Sequence, residues 1–319
     1  MSSEKRLKIG ILGGWDIARK AYYPLLPSWP GVDVVGAFSR TYETVDPVAD
    51  RWRIPFRTTD VDALIEQGID AAFILTSTDS HYDLAKILLK AGVDVYVEKP
   101  ATESSQETQE LADLAAEQDR IFMVAFNRRY APLYVKAKEI FGARTIRQCI
   151  IQKHRSGLKD RDLAQTYLDD TVHQIDLLRY FCGEVTPQAT YYQMEDGRLR
   201  NAVSVSTLES GGTGTILTSR EAGMWTERVA LHGEDLSVEV SAFRELRVRY
   251  PDYEEVYGAD RAGRWMPQLE ERGFAGEIDH FFDCVRSRHT PLSDGYDSVK
   301  TQVLLEALVE TSIQTEQAG

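Results

Sequence analysis

Short apolar runs rich in β-branched residues alternate with longer helix-period segments through the first 125 residues. Runs at 7–12, 32–38, 71–76, 93–97 and 121–125 predict strands, and segments at 17–26, 61–67, 80–91 and 104–118 predict helices. Strands separated by helices form parallel sheets, because a parallel partner is reached only through a long crossover. One helix start is well marked: 102–110 offers capping hydroxyls and early acidic residues ahead of an Ala/Leu-rich run.

Beyond residue 125 the pattern changes. Segments at 189–194, 202–208, 214–219, 227–231, 236–240 and 246–250 follow one another with turn signals, predicting an antiparallel sheet with Gly211 and Gly212 in a hairpin turn. Helices are predicted at 171–181, 276–287 and 298–315. The expected fold is therefore α/β, with a doubly wound parallel sheet at 1–125 and an α+β domain with a large, open, mainly antiparallel sheet at 126–319.

Composition narrows the function classes. At 319 residues, 43% hydrophobic and 27% charged, the chain reads as globular. A net charge of −13 disfavours nonspecific binding to nucleic acid or an anionic membrane, since phosphate surfaces repel it. No stretch approaches the roughly 20 apolar residues needed to cross a bilayer. Cys149, Cys182 and Cys284 are widely spaced with no CxxC pair, as in a reduced compartment, and the charged start at 1–8 does not read as a signal peptide. A cytoplasmic protein is the expectation.

The candidate chemistry begins at the first strand. Lys8-Ile9-Gly10-Ile11-Leu12-Gly13-Gly14-Trp15-Asp16-Ile17-Ala18 places glycines between a strand and a helix, where backbone amides hold a dinucleotide pyrophosphate. Trp15 stands where the G-x-G-x-x-G/A pattern has its middle glycine. Either Gly14 takes over the close approach, or the indole packs against ribose or nicotinamide, or it fills the site. The second strand ends in Ser39-Arg40-Thr41, with no acidic residue for a ribose 2′-hydroxyl. Arg40 suits a 2′-phosphate, which favours NADP over NAD; the alternative is a solvated loop arginine.

Two further constellations stand out. Glu98-Lys99-Pro100 follows a parallel strand, where ligands of open α/β sheets bind, although such a pair also occurs as solvated surface charge. Asp169 and His173 are four residues apart on one helix side, with Asp176 one turn on. A carboxylate fixes the tautomer of a histidine and tunes it for proton transfer; the bland alternative is an N-cap followed by an exposed histidine. His173 and Asp176 as metal ligands lack a third and fourth partner at recognisable spacing, so no metal is expected, and no G-x-S-x-G hydrolase motif is present.

In order and spacing these motifs resemble the Gfo/Idh/MocA oxidoreductase family over nearly the whole chain. Further matching pieces are Thr76-Ser77-Thr78 with His81, Asn127-Arg128-Arg129, and Gln152-Lys153-His154-Arg155; Asp16 to Pro24 and Arg272-Gly273-Phe274 look like its MviM-like branch. The resemblance implies a Rossmann domain, and an open sheet that mediates a homodimer or homotetramer. It assigns Lys99, Asp169 and His173 to catalysis. It assigns Gly13, Gly14, Trp15, Asp16, Ile17, Ser39, Arg40, Thr76, Ser77, His81, Glu98, Lys99, Pro100 and Asn127 to the cofactor. Arg155 and Tyr167, with Lys99, Asp169 and His173, would meet a sugar-like or polyol-like substrate. His173 would remove the proton of a substrate hydroxyl as hydride passes to NADP or NAD, with Lys99 stabilising developing negative charge. The rival readings are a non-catalytic dinucleotide sensor or regulatory protein, and a glycosidase using transient cofactor oxidation.

Overall fold

The computed structural model describes residues 5–14, 16–258 and 267–315. The chain divides into two units, one of residues 1–126 with 274–299 and the other of 127–273 with 300–319.

The first unit is built on strands β1 (Leu7–Leu12), β2 (Val32–Phe38), β3 (Phe56–Thr58), β4 (Ala71–Ile74), β5 (Asp94–Glu98) and β6 (Phe122–Ala125). They pair in parallel in the order β3-β2-β1-β4-β5-β6. β4, β5 and β6 are buried at every residue, which is why they read as apolar runs rather than alternations. The order reverses direction between β1 and β4, the topological switch point at which doubly wound sheets bind ligands. Helices α1 (Tyr42–Trp52), α2 (Val61–Ile65), α3 (His81–Lys90) and α4 (Ser105–Glu117) connect the strands. Ser104 caps α4 by accepting from the Glu107 N–H, as its sequence signal indicates. The helix expected at 17–26 is shorter: a π-helical turn spans Ala18–Tyr22 and a 3₁₀ turn Leu26–Ser28. Pro24 and Pro27 remove the amide donors that a longer helix needs.

The segment 274–299, expected in the second domain, belongs to this unit. Its helix, introduced below as α9, buries Phe281 and Phe282 against Phe73, with ring centroids 5.3 and 5.6 Å apart, and Phe281 also meets Tyr96 at 5.4 Å. The chain after it reaches the edge strand, where the Ser293 carbonyl accepts from the Val124 N–H at 2.9 Å. Aromatic burial under the sheet therefore decides its place, and sequence distance hides it.

The second unit carries strands β7 (Gln148–His154), β8 (Val185–Glu195), β9 (Arg198–Leu208), β10 (Thr213–Ser219), β11 (Thr226–Gly233), β12 (Leu236–Ser241), β13 (Glu245–Arg249), β14 (Glu254–Gly258) and β15 (Ser312–Gln314). They form a nine-stranded sheet in the order β14-β13-β12-β11-β7-β10-β9-β8-β15. Its pairs are antiparallel except β7 with β10 and β8 with β15. Strand β7 alternates buried and half-exposed positions, the period expected when one sheet face is packed. Helices α5 (Pro132–Phe141), α6 (Leu163–Thr166), α7 (Val172–Cys182) and α8 (Gln268–Glu271) accompany this sheet; α9 is Phe274–Ser287, and α10 (Gly295–Glu310) passes from one unit to the other. A π-helical turn, Tyr167–Thr171, joins α6 to α7. The final helix stops at Glu310, and residues expected to continue it become β15.

Candidate active site

At the switch point of the first sheet lies a cavity of about 410 Å³ lined by Gly13, Gly14, Asp16, Ile17, Ser39, Arg40, Thr41, Thr44, Leu75, Thr76 and Ser77. The glycine loop, the end of β2 and the loop after β4, all singled out in the sequence, thus meet in one place. Gly13 holds φ +113°, and a Cβ there would lie 2.5 Å from the Leu75 carbonyl oxygen. A Cβ on Gly14 would meet Thr44 Cγ2 at 2.9 Å. Both positions require glycine, for conformation at the first and for space at both. The loop is braced by Gly13 N–H donating to Phe38 O at 2.9 Å and by the buried Tyr23 hydroxyl donating to Gly13 O at 2.8 Å. Arg40 is largely exposed at the cavity, 3.9 Å from Asp79. Trp15 lies outside the described residues.

Glu98 and His81 are both buried. Lys99 is half-buried, and its N–H donates to its neighbour's Glu98 Oε2 at 3.0 Å. The other oxygen of Glu98 accepts from the Tyr22 hydroxyl at 2.7 Å, and Tyr22 also lies 2.9 Å from the Tyr96 hydroxyl. Burial, and then the Glu98 carboxylate, push the Tyr22 phenol well above its ordinary range. His81 is 1% exposed, with Nδ1 3.0 Å from Pro100 O and Nε2 3.1 Å from Thr76 O. It ties the loop after β4 to the turn after β5. Its burial lowers its pKa, against the opposing pull of the Pro100 and Thr76 carbonyls.

In the second unit, Asp169 and His173 sit on the π-helical turn and the first turn of α7, both half-exposed. Asp169 pairs with Arg161 and lies 3.8 Å from Lys159 Nζ. Its neighbour Asp170 is buried beneath three cations. Arg155 grips it with two bonds of 2.6 and 2.7 Å, Arg220 donates at 2.8 Å, and Lys153 Nζ reaches both its carboxylate and its carbonyl oxygen at 2.8 Å. Burial alone would raise the Asp170 pKa; Lys153 and Arg155 overcome this and hold it far below the carboxylate range. Lys153 is itself lowered to about 7, by burial first and then by Arg128.

The other expected residues fall as follows. Tyr167 is fully buried, its hydroxyl 2.7 Å from Ser204 Oγ, which in turn meets Thr190 at 2.8 Å; this is a core position. Asn127 belongs to the second unit, where its amide donates to Arg272 O at 2.7 Å. Asp176, weighed as a metal ligand, is 1% exposed and gripped by Arg129 at 2.5 and 2.9 Å. Sequence reasoning passed over Lys153 and Arg220 as holders of the Asp170 carboxylate, and over the buried Arg128–Glu227 pair at 2.5 and 2.8 Å. A signal existed for one of them: Lys153 falls on the inward phase of β7, and a buried cation demands a partner.

A glycine cradle at the switch point of a sheet ordered 3-2-1-4-5-6 defines a dinucleotide-binding enzyme of the Rossmann class. The model of the oxidoreductase family with an NAD-binding Rossmann fold, GFO_IDH_MocA, matches residues 7–126. The putative oxidoreductase YceM of Salmonella typhimurium is 33% identical over 97% of this chain and 99% of its own. The chain therefore belongs to the Gfo/Idh/MocA oxidoreductase family. A dehydrogenase (MviM) from Clostridium difficile has a similar structure, with a TM-score of 0.89 and 28% identity over 96% of this chain and 99% of that one. The scyllo-inositol 2-dehydrogenase (NAD(+)) of Bacillus subtilis is 25% identical, over 92% and 91%.

Proposed function

We propose that this oxidoreductase is a dehydrogenase or reductase of a sugar or polyol CH–OH group, with NADP preferred and NAD as the alternative. The cofactor cradle carries the reading: a Cβ on Gly13 would clash with the Leu75 backbone that lines it, and the loops around it include the only arginine among the lining residues, Arg40. When bound, the nicotinamide supplies or accepts the hydride. Arg40, between the hydroxyls of Ser39 and Thr41, would pair with a 2′-phosphate, while Asp79 beside it offers a carboxylate for a free ribose hydroxyl.

The chain's own residues then handle charge and protons. Lys99 holds the substrate oxygen and stabilises its negative charge, and His173 takes the hydroxyl proton. Asp169 orients His173 and balances its charge. The inositol dehydrogenase relative supports a polyol substrate. Retention of Lys99, Asp169 and His173 favours an enzyme over a non-catalytic sensor. A cytoplasmic homodimer or homotetramer, associating through the open sheet, completes the reading; among the described residues no helix is long and apolar enough to cross a membrane.

The test is titration with NADPH and NADH, followed by nicotinamide fluorescence, and then turnover on a panel of sugars and polyols. NADPH should bind more tightly than NADH, and Arg40→Ala should weaken NADPH by about tenfold or more, the scale of one charge-assisted bond. Lys99→Ala should lower turnover far more than cofactor affinity. Binding of neither nucleotide would sink the proposal, and retained dinucleotide with sugar release but no net redox change would favour the glycosidase alternative.

A further inference from the structure

A second cluster of chemically capable side chains lies in the first unit, on α9 and the loop that follows it. His280 and Cys284 are one helical turn apart, and His289 folds back onto them. Cys284 Sγ is 3.5 Å from His280 Nε2 and 3.1 Å from His289 Nε2, and ligand atoms from all three residues lie within 4.8 Å of one another. Around a tetrahedral zinc ion, with Zn–S near 2.3 Å and Zn–N near 2.05 Å, sulfur and nitrogen ligands sit about 3.5 Å apart. The Cys284–His280 pair already stands at that spacing, and the Cys284–His289 pair is 0.4 Å closer.

The tautomers point the same way. The Ser287 hydroxyl donates to Asp283 O at 2.6 Å, so toward His289 Nδ1 it can only accept. The proton of His289 is thereby fixed on Nδ1, and the lone pair of Nε2 faces the thiol. The Leu292 N–H donates to His280 Nε2 at 3.0 Å, which makes that nitrogen an acceptor too. Two imidazoles thus turn acceptor nitrogens toward one thiol with a single proton. A hydroxyl that fixes the distal nitrogen of a histidine is the outer support common around metal ligands.

We propose that His280, Cys284 and His289 bind a divalent transition-metal ion of the zinc class, with Asp283 or a water as fourth ligand. Asp283 Oδ2 lies 3.7 Å from His289 Nε2. The ion takes over the lone pair on which Leu292 N–H now rests, and the Cys284 proton leaves to solvent. Its role is structural: it clamps the loop to α9 just ahead of Ser293, which bonds β6. The chemistry of the cofactor cradle does not pass through it.

The test strips the full-length protein with a chelator and titrates it with Co²⁺. Wild type and Cys149→Ser should take up one equivalent with a thiolate-to-cobalt charge-transfer band, and Cys284→Ser and His289→Asn should lose that band. Zn²⁺ should raise the thermal midpoint of wild type and leave His289→Asn unmoved. No charge-transfer band in wild type overturns the site, as does a band that survives in Cys284→Ser. If Cys284→Ser does not fold, His289→Asn at its 44% exposed position carries the same decision.

Discussion

The cofactor cradle and the Asp170 cluster are built by opposite means. In the first unit the surface is made of backbone: two glycines without room for a Cβ, a tyrosine bonded to a carbonyl, and a neutral-leaning histidine between two more carbonyls. In the second unit it is made of buried charge, with Lys153, Arg155 and Arg220 around one carboxylate and Arg128 and Arg129 on two others. The cradle's close approach is set by shape, with Arg40 the one cation among its lining residues. The π-helical turn ahead of His173 is anchored electrostatically, through Asp170.

This contrast is broken most directly at Asp170. Asp170→Asn keeps the shape and removes the charge, leaving Arg155, Arg220 and Lys153 with no carboxylate between them. Removing one partner of such a buried network costs about 3–5 kcal/mol. Chemical denaturation should show that loss, and a change below about 1 kcal/mol would mean that the cluster is not anchoring the turn.

A pH series on Lys153 is the next largest effect. Its folded pKa is depressed to about 7 from the ordinary lysine value of 10.5, so between those values the unfolded chain binds the proton and the folded chain does not. Stability contributed by this residue therefore rises with pH through that window, at up to about 1.4 kcal/mol per pH unit, and is flat below it. Relative to Lys153→Met, wild type should gain stability from pH 7 to 9. A difference that stays level would remove Lys153 from the titrating groups. At Gly13, by contrast, an added methyl acts through shape: Gly13→Ala should cost about 1–3 kcal/mol of strain and abolish dinucleotide binding, read by nicotinamide fluorescence.

The same contrast explains what the sequence makes legible. Glycines between a strand and a helix are a local signal, so the cradle residues Gly13, Gly14, Ser39, Arg40, Thr76 and Ser77 are found from short motifs and meet in one cavity. β1 and β2 fall at their expected bounds because each is an apolar run buried at most of its positions. Helix α1 is hidden by Pro47 and a sparse apolar face of Val45, Val48 and Ala49. Charge pairs are not local. Arg128 meets Glu227 and Arg220 meets Asp170 across long stretches of chain, and nothing in either neighbourhood names its partner. Tyr167 stands in a motif that points to substrate, yet its side chain turns into the core toward Ser204. Spacing shows which residues share an element, and packing decides which way each of them faces.

The smallest expected effect sharpens the backbone side of the comparison. A neutral imidazole has one N–H, so His81 gives a full hydrogen bond to only one of Thr76 O and Pro100 O at a time. Burial lowers its pKa below 6.5, so as pH falls from 6.5 toward the folded pKa the unfolded chain takes up the proton first, and stability falls. His81→Leu should cost about 1 kcal/mol, in the range of one net hydrogen bond, and flatten this acid limb. It should also weaken dinucleotide binding a few-fold, because the loop carrying Thr76 and Ser77 loses its tie to the turn carrying Lys99. Unchanged affinity with a flattened acid limb would separate the two roles: His81 would then titrate without positioning the cradle.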